Sequence, residues 1–349
     1  MESTCRDMKT VYSADHAGHK GNLELSGGEL VPCFELPQRA EMILDRIVAE
    51  ALGPVVSSEP QSLTTARKLH DPDYVAALAR IWPMWQAEGR CGSAIPAVFP
   101  VGIASEVSPQ SAGGLLGFYS FDAGATFVEG TWQAIKASHD VALTGADLIS
   151  AGERSAFALC RPPGHHAGRS SMGGYCYLNN AAIAAQRLLE EGAQRVTVLD
   201  IDYHHGNGTQ EIFYQRRDVQ VISIHADPRL AYPYFYGHAN ERGSGAGEDM
   251  NLNLPLPPGT DFRAWRVAFS TASSALADYA PDALVVSLGV DTYQGDPISQ
   301  FCLQKEDYPR IGDQIQKLGL STLFVMEGGY AVDDIGVNVA GVLTGFVGT

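Results

Sequence analysis

The chain has 349 residues, 45% of them apolar and only 18% charged, with a formal net charge of −16. That length supports one large α/β domain or two smaller ones around a substantial core. An acidic surplus with no Lys/Arg cluster argues against a nucleic-acid binder, and no apolar run approaches the roughly 18–20 residues of a membrane helix.

The N-terminal stretch MESTCRDMKTVYSADH lacks the apolar region of a signal peptide. Cys5, Cys33, Cys91, Cys160, Cys176 and Cys302 form no C-x-x-C pair and read as reduced thiols of a cytoplasmic protein. Residues 1–7 read as an extension ahead of the strand-like MKTVYS that begins at Met8. In FELPQRAEMILDRIVAEAL, Pro37 stands near a helix start, and Met42, Ile43, Ile47 and Leu52 recur at helical intervals. HDPDYVAALARIW offers Asp71 as N-cap and Pro72 at the first helical position. Residues 91–121 are rich in Gly, Pro and Ser without periodicity, a long loop of the kind that serves as a lid or subunit contact. A helix is expected from about Thr131 to Ser150 with Gly152 past its end. A second is expected over NNAAIAAQRLLEEG, capped by Asn180 and stopped by Gly192, and a third over DYPRIGDQIQKLG, ending at Gly319.

Between the helices lie the apolar runs SAFALC (155–160), RVTVLDI (195–201), VQVISI (219–224), DALVVSLGV (282–290) and STLFVM (321–326). Continuous β-branched runs alternating with helices predict a parallel sheet flanked by helices on both faces. Polar clusters follow four of these runs. RPPGHHAG supplies His165 and His166, DYHHGNG supplies His204, DTYQGDP supplies Asp291, and EGGYAV supplies Tyr330. Ligands of open parallel sheets bind outside the carboxyl ends of the strands, so the four clusters are expected to meet.

The stretch LDIDYHHGNGTQ is the most telling. Asp is a poor strand residue, and neither Asp nor His is cheap to bury. Strand alternation predicts that Asp200, Asp202 and His204 share one face while Ile201, Tyr203 and His205 take the other. Carboxylate plus imidazole suits a borderline divalent metal such as Zn²⁺. Taken singly, a His-His pair is more often a cap or interior contact, a lone Asp after a strand an N-cap, and GGY a turn. Their joint occurrence after successive βα units carries the weight.

RPPGHHA, LDIDYHHGNGTQEIFY, SLGVDTYQGDP and MEGGY, in that order and spacing, resemble the histone deacetylase superfamily, and most of all its bacterial acetylpolyamine amidohydrolases. The resemblance runs from VYSADH to IGVNVAGVLTGF. It implies a single-domain fold of the arginase-deacetylase type, with 8–349 as the catalytic domain. It further implies a zinc-dependent hydrolase of small acylated amines, with ferrous iron as an alternative metal in vivo. By the same resemblance Asp202, His204 and Asp291 are the metal ligands, His166 the general base and then acid, and His165 its electrostatic companion. Asp200 stands behind His165. Asn207 stands behind His166, where some members carry Asp; a neutral partner leaves His166 easier to deprotonate. Tyr330 donates to the oxyanion, and Gly174, Tyr175 and Tyr232 wall a substrate tunnel. Ser223 with the Asp200 loop matches a structural potassium site, and Arg39 an internal arginine near the product exit. A homodimer closed by the long loop is expected by analogy, with no nucleic-acid or membrane partner.

Ser111, Ala112 and Gly113 stand where polyamine hydrolases of the family carry an acid, with Glu106 or Asp122 as substitutes. A neutral N-alkyl amide and acetyl-lysine in proteins are therefore the alternative substrates. The rival frameworks are the two-metal ureohydrolase branch of the same fold and a non-enzymatic ligand-binding scaffold. The full set of mechanistic positions disfavours the scaffold.

Overall fold

In the computed structural model, which describes residues 8–100 and 107–348, the apolar runs form strands and the segments between them helices. Strand β1 (Lys9–Tyr12) is followed by a hairpin of β2 (Leu23–Ser26) and β3 (Glu29–Pro32), helix α1 (Gln38–Ala49) and β4 (Val55–Ser57). Helices α2 (Ala66–Leu69), α3 (Pro72–Ala87), α4 (Ala112–Phe118) and α5 (Thr131–Ser150) precede β5 (Ser155–Ala158). Then come α6 (Asn180–Glu190), β6 (Val196–Asp200), α7 (Asn207–Phe213), β7 (Val219–Ala226) and β8 (Asn251–Leu256). The chain closes with α8 (Phe262–Tyr279), β9 (Ala283–Leu288), α9 (Tyr308–Gln316), β10 (Thr322–Met326) and α10 (Val332–Val347).

Eight strands pair in the order β4-β1-β5-β10-β9-β6-β7-β8, every pairing parallel, while β2 and β3 form a separate antiparallel hairpin. Alternation along the strands feeds two cores. Val196 and Val198 of β6 and Leu323 and Val325 of β10 face one layer with α3 to α7. Leu199, Phe324 and Met326 face the other, with α1, α8, α9 and α10. Burial on both faces explains why these strands read as unbroken apolar runs; each fully buried Leu, Ile or Phe contributes about 1.5–3 kcal/mol.

The sequence expectations for helices and strands hold, with informative shifts. Asp71 caps α3 by accepting from the Asp73 amide at 2.8 Å. The cap of α6 is Asn179, which accepts from the Ala182 amide at 2.9 Å, rather than the adjacent Asn180. Of the expected α1 stripe, Ile43 and Ile47 are buried, Met42 is exposed, and Leu52 lies beyond the helix. The 91–121 segment is not all loop. Its last part is α4, which Ser111 caps by accepting from the Gly114 amide. The expected extension at 1–7 and Glu106 lie outside the described residues. Among the described residues no helix is long and apolar enough to cross a membrane.

Candidate active site

The four polar clusters emerge from β5, β10, β9 and β6, four adjacent strands in the middle of the sheet. Neighbouring parallel strands lie only about 4.8 Å apart, so residues just past their ends are brought within side-chain reach. Strand β6 ends at Asp200, and residues 201–206 are coil. Even so the alternation persists. Ile201 and Tyr203 pack into the α8–α10 core, and the His205 ring lies against His225 at 4.6 Å between centroids. The opposite set, Asp200, Asp202 and His204, turns towards the other strand ends. Backbone bonds replace the ladder here, with the Ile201 amide donating to the Ser287 carbonyl.

His204 Nδ1 lies 2.9 Å from Asp291 Oδ2 and 3.2 Å from Asp202 Oδ1. Ligand atoms of these three buried residues all fall within 4.8 Å of one another. The Asp202 carboxylate is held by the Gly328 amide (2.8 Å) and the His204 amide (2.9 Å), and Asp291 by the Tyr203 amide (2.7 Å). Burial and the facing Asp202 charge push Asp291 above the usual carboxylate range. Two buried carboxylates aimed at one point with an imidazole form a donor set that fits a divalent cation such as Zn²⁺.

Beside this group the His165 and His166 rings lie against each other, tilted by 45° with 4.0 Å between centroids. They sit in opposite electrostatic surroundings. Burial alone lowers His165, but Asp202 and Asp200, the latter 3.0 Å from its Nδ1, raise it to about 10. His166 is driven down by burial and by the charges of His165 and His204, while its Nδ1 lies 2.7 Å from Asn207 Oδ1. An imidazole whose surroundings favour the charged form beside one whose surroundings favour the neutral form is a pairing suited to acid–base work.

His166, His204 and Tyr330 reach the base of a cavity of about 460 Å³ whose wall includes Gly174, Tyr175, Tyr232, Glu24 and Asp122. Burial raises the Tyr330 phenol well above its ordinary value, so it remains a donor. Its ring is held by Tyr175 (5.5 Å between centroids) and by the Arg39 guanidinium, 4.7 Å above it. Arg39 also donates to the carbonyls of Gly329 (2.6 Å) and Glu327 (2.5 Å). At Gly174, with φ +51°, a Cβ would run into the His166 ring and the Tyr232 hydroxyl. Only glycine lets the backbone form this wall. Tyr175 follows at φ +66°, a rare conformation for an aromatic residue, and its hydroxyl donates to Glu24 at 2.8 Å. Tyr232 donates to Asp122 at 2.6 Å, and Asp122 also accepts from the Gly174 amide.

Of the eleven expected site residues, His166, Gly174, Tyr175, His204, Tyr232 and Tyr330 line this cavity. Asp202 and Asp291 stand behind His204, Asn207 behind His166 and Asp200 behind His165, whose ring lies against His166. Ser111 to Gly113 are not among its lining residues. A side chain at Gly113 would face the Arg90 guanidinium, since its Cβ would lie 3.5 Å from Nη1. The acids in the wall are Asp122, weighed from the sequence, and Glu24, which was missed. The signal for Glu24 was its place in a hairpin, LELSGGEL, that the sequence did not tie to any site. Ser223 pairs with Asp200 across β6 and β7, and its hydroxyl lies 2.8 Å from His225 Nδ1.

Residues 33–346 match the family model of the histone deacetylase domain. The chain is 53% identical over 341 residues to acetylpolyamine amidohydrolase 2 of Pseudomonas aeruginosa, covering 98% of this chain and 99% of that one. It is 47% identical over 341 residues to the acetylpolyamine amidohydrolase of Mycoplana ramosa, covering 98% and 100%. The crystal structure of an acetylpolyamine aminohydrolase from Burkholderia pseudomallei superposes with a TM-score of 0.93 at 37% identity, covering 97% and 98%.

Proposed function

The chain belongs to the histone deacetylase family, and on that footing we propose that it is a zinc-dependent amidohydrolase that deacetylates small cationic amines of the acetylpolyamine class. The observation that carries the reading is the convergence of Asp202, His204 and Asp291 beside His166 and Tyr330 at the base of the cavity. Those three residues would hold the zinc, which would supply Lewis acidity for the amide carbonyl and for the attacking water. The neutral His166 takes the proton of the attacking water and returns it to the leaving amine nitrogen. His165, whose Nδ1 lies 3.0 Å from Asp200, is placed beside His166 as its electrostatic companion. Tyr330 donates its hydroxyl to the oxyanion, a contact worth about 3 kcal/mol, or 10²–10³ in rate.

Substrate class follows from the wall. Tyr175 and Tyr232 suit a methylene chain. Glu24 and Asp122 are the carboxylates lining the cavity beyond the base, no Lys or Arg lines it, and among the described residues neither acid has an ion-pair partner. An ammonium on the substrate would supply that partner. The test is a panel of N-acetylputrescine, acetyl-lysine peptides and neutral N-alkyl acetamides on zinc-loaded protein. N-acetylputrescine is expected to show the highest kcat/KM. Equal turnover of the neutral amides would remove the cation argument, and a preference for peptides would replace it with protein deacetylation. A homodimer belongs to the same reading. Val98 and Phe99 of the 91–121 segment are exposed, as are Tyr234, Phe235 and Tyr236 between β7 and β8.

A further inference from the structure

We infer that Glu327 is a positioning residue of the hydrolysis, its carboxylate locking the tandem-histidine loop to the strand end that bears Tyr330. The inference rests on the reading of His165, His166 and Tyr330 as the reacting groups.

Residues 327–330 leave β10 as a hub. The Gly328 amide donates to Asp202, the carbonyls of Glu327 and Gly329 accept from Arg39, and the Tyr330 amide donates to Asp296 at 2.7 Å. Those bonds reach the metal-ligand coil, α1 and the loop after β9. The remaining site segment, residues 161–168, is reached by one side chain. Glu327 Oε2 accepts from the Gly164 amide at 2.7 Å and from the His165 amide at 3.1 Å. Among the described residues no other hydrogen bond joins 161–168 to 327–331.

The residue type matters. Glu327, His165 and Gly164 are buried, so an apolar side chain at 327 would strand two amides without water. A single carboxyl oxygen takes both amides, which no apolar side chain of the same length could do. Met326, one position earlier, points into the opposite core, so strand alternation aims Glu327 at the histidine loop. His165 and His166 must meet the same carbonyl as Tyr330, and a misplacement of about 1 Å in such a site costs about 10²-fold in rate.

Glu327, His165 and Cys176 also present atoms within 4.8 Å of one another, a donor set that invites comparison with a second metal site. His165 Nδ1 is taken by Asp200, the Cys176 thiol donates to the Gly174 carbonyl at 3.3 Å, and Glu327 Oε2 holds the two amides. Among the described residues Glu327 Oε1 is buried without a hydrogen-bond partner, so the zinc count per chain decides between the two readings.

The test uses the full zinc-loaded chain carrying Glu327→Gln or Glu327→Leu. Steady-state kinetics are measured on whichever amide of the panel turns over fastest, with zinc content and hydrogen exchange of the peptide spanning 160–168. Gln keeps an acceptor oxygen and is expected to stay within about threefold of the parent. Leu is expected to lose about 10- to 100-fold in kcat with KM within about twofold. Zinc should remain at one per chain, with faster exchange confined to 160–168. Parental kcat in the Leu variant, equal impairment in both variants, or loss of a second equivalent of zinc would overturn the inference. If the Leu variant does not fold, Glu327→Asp withdraws the oxygens by one methylene and should lower kcat alone; parental kcat there has the same overturning force. Tyr330→Phe measured alongside separates the two levels. If it retains full turnover, the site reading itself is wrong whatever Glu327 does.

Discussion

Tyr330 and His166 illustrate how burial assigns roles at the scale of single residues. The same desolvation that keeps the phenol protonated strips the proton from His166, because burial disfavours whichever form carries charge. His165, flanked by two aspartates, goes against that trend because the neighbouring charges outweigh burial. Tyr330→Phe is therefore expected to lower kcat by about 10²–10³ with one zinc per chain retained, and His166→Ala to do likewise. Metal analysis beside steady-state kinetics checks both. Near-parental turnover in either variant removes that residue from the chemistry.

At the scale of elements, the ends of β5, β6, β9 and β10 carry the proposed reacting groups, while the cavity wall also draws on the loops outside them. Loops built on a rigid sheet are where specificity and assembly can vary without disturbing the core. The loop between β7 and β8 places Tyr232 in the cavity wall and, three residues later, leaves Phe235 80% exposed. Tyr234 and Tyr236 on either side of it are exposed as well, and a contiguous aromatic patch of this kind marks an interaction surface where a single exposed residue would not. Sedimentation of the parent at micromolar concentration is expected to give a dimer, and Phe235→Ser to shift it towards monomer. A parent that sediments as a monomer ends the dimer proposal.

Across the whole molecule, one buried ion cluster ties the N-terminal third to the sheet. Glu35 accepts from Arg39 Nη1 and from Arg161 Nε and Nη2, each at 2.8 Å, while Arg161 also holds the carbonyls of His16 and His19. Burial alone would raise Glu35, but Arg161 and Arg39 overcome it and hold it near about 2, against an ordinary 4.5. A carboxyl depressed on folding stabilises the protein fully above its unfolded pKa, and that contribution fades as pH falls from about 4.5 through about 2. His16 and His19, lowered to about 4 chiefly by burial, add a loss in the same direction that begins as pH drops through 6.5. Urea unfolding is thus expected to show stability falling steadily below pH 6.5. Glu35→Gln should be weaker by about 3–5 kcal/mol at pH 7, because it leaves two buried arginines poorly paired. It should also lose the part of the slope below pH 4.5. An unchanged slope in that variant would show that Glu35 is not the source.

The sequence by itself determined the class of fold and the family, and it nominated the candidate ligand and base residues as a set. Continuous apolar runs, caps such as Asp71 and clustered motifs are local signals, and they survive folding because both faces of the sheet are buried. Only the tertiary structure decided which strands are neighbours. Placing β10 and β9 between β5 and β6 makes His166, Tyr330, Asp291 and His204 one site, although 165 residues separate His165 from Tyr330 in the chain. The same holds for Glu24 and Glu327. Each is an unremarkable acid in its own segment, and its meaning comes from backbone amides and hydroxyls supplied by distant segments, which no local pattern can encode.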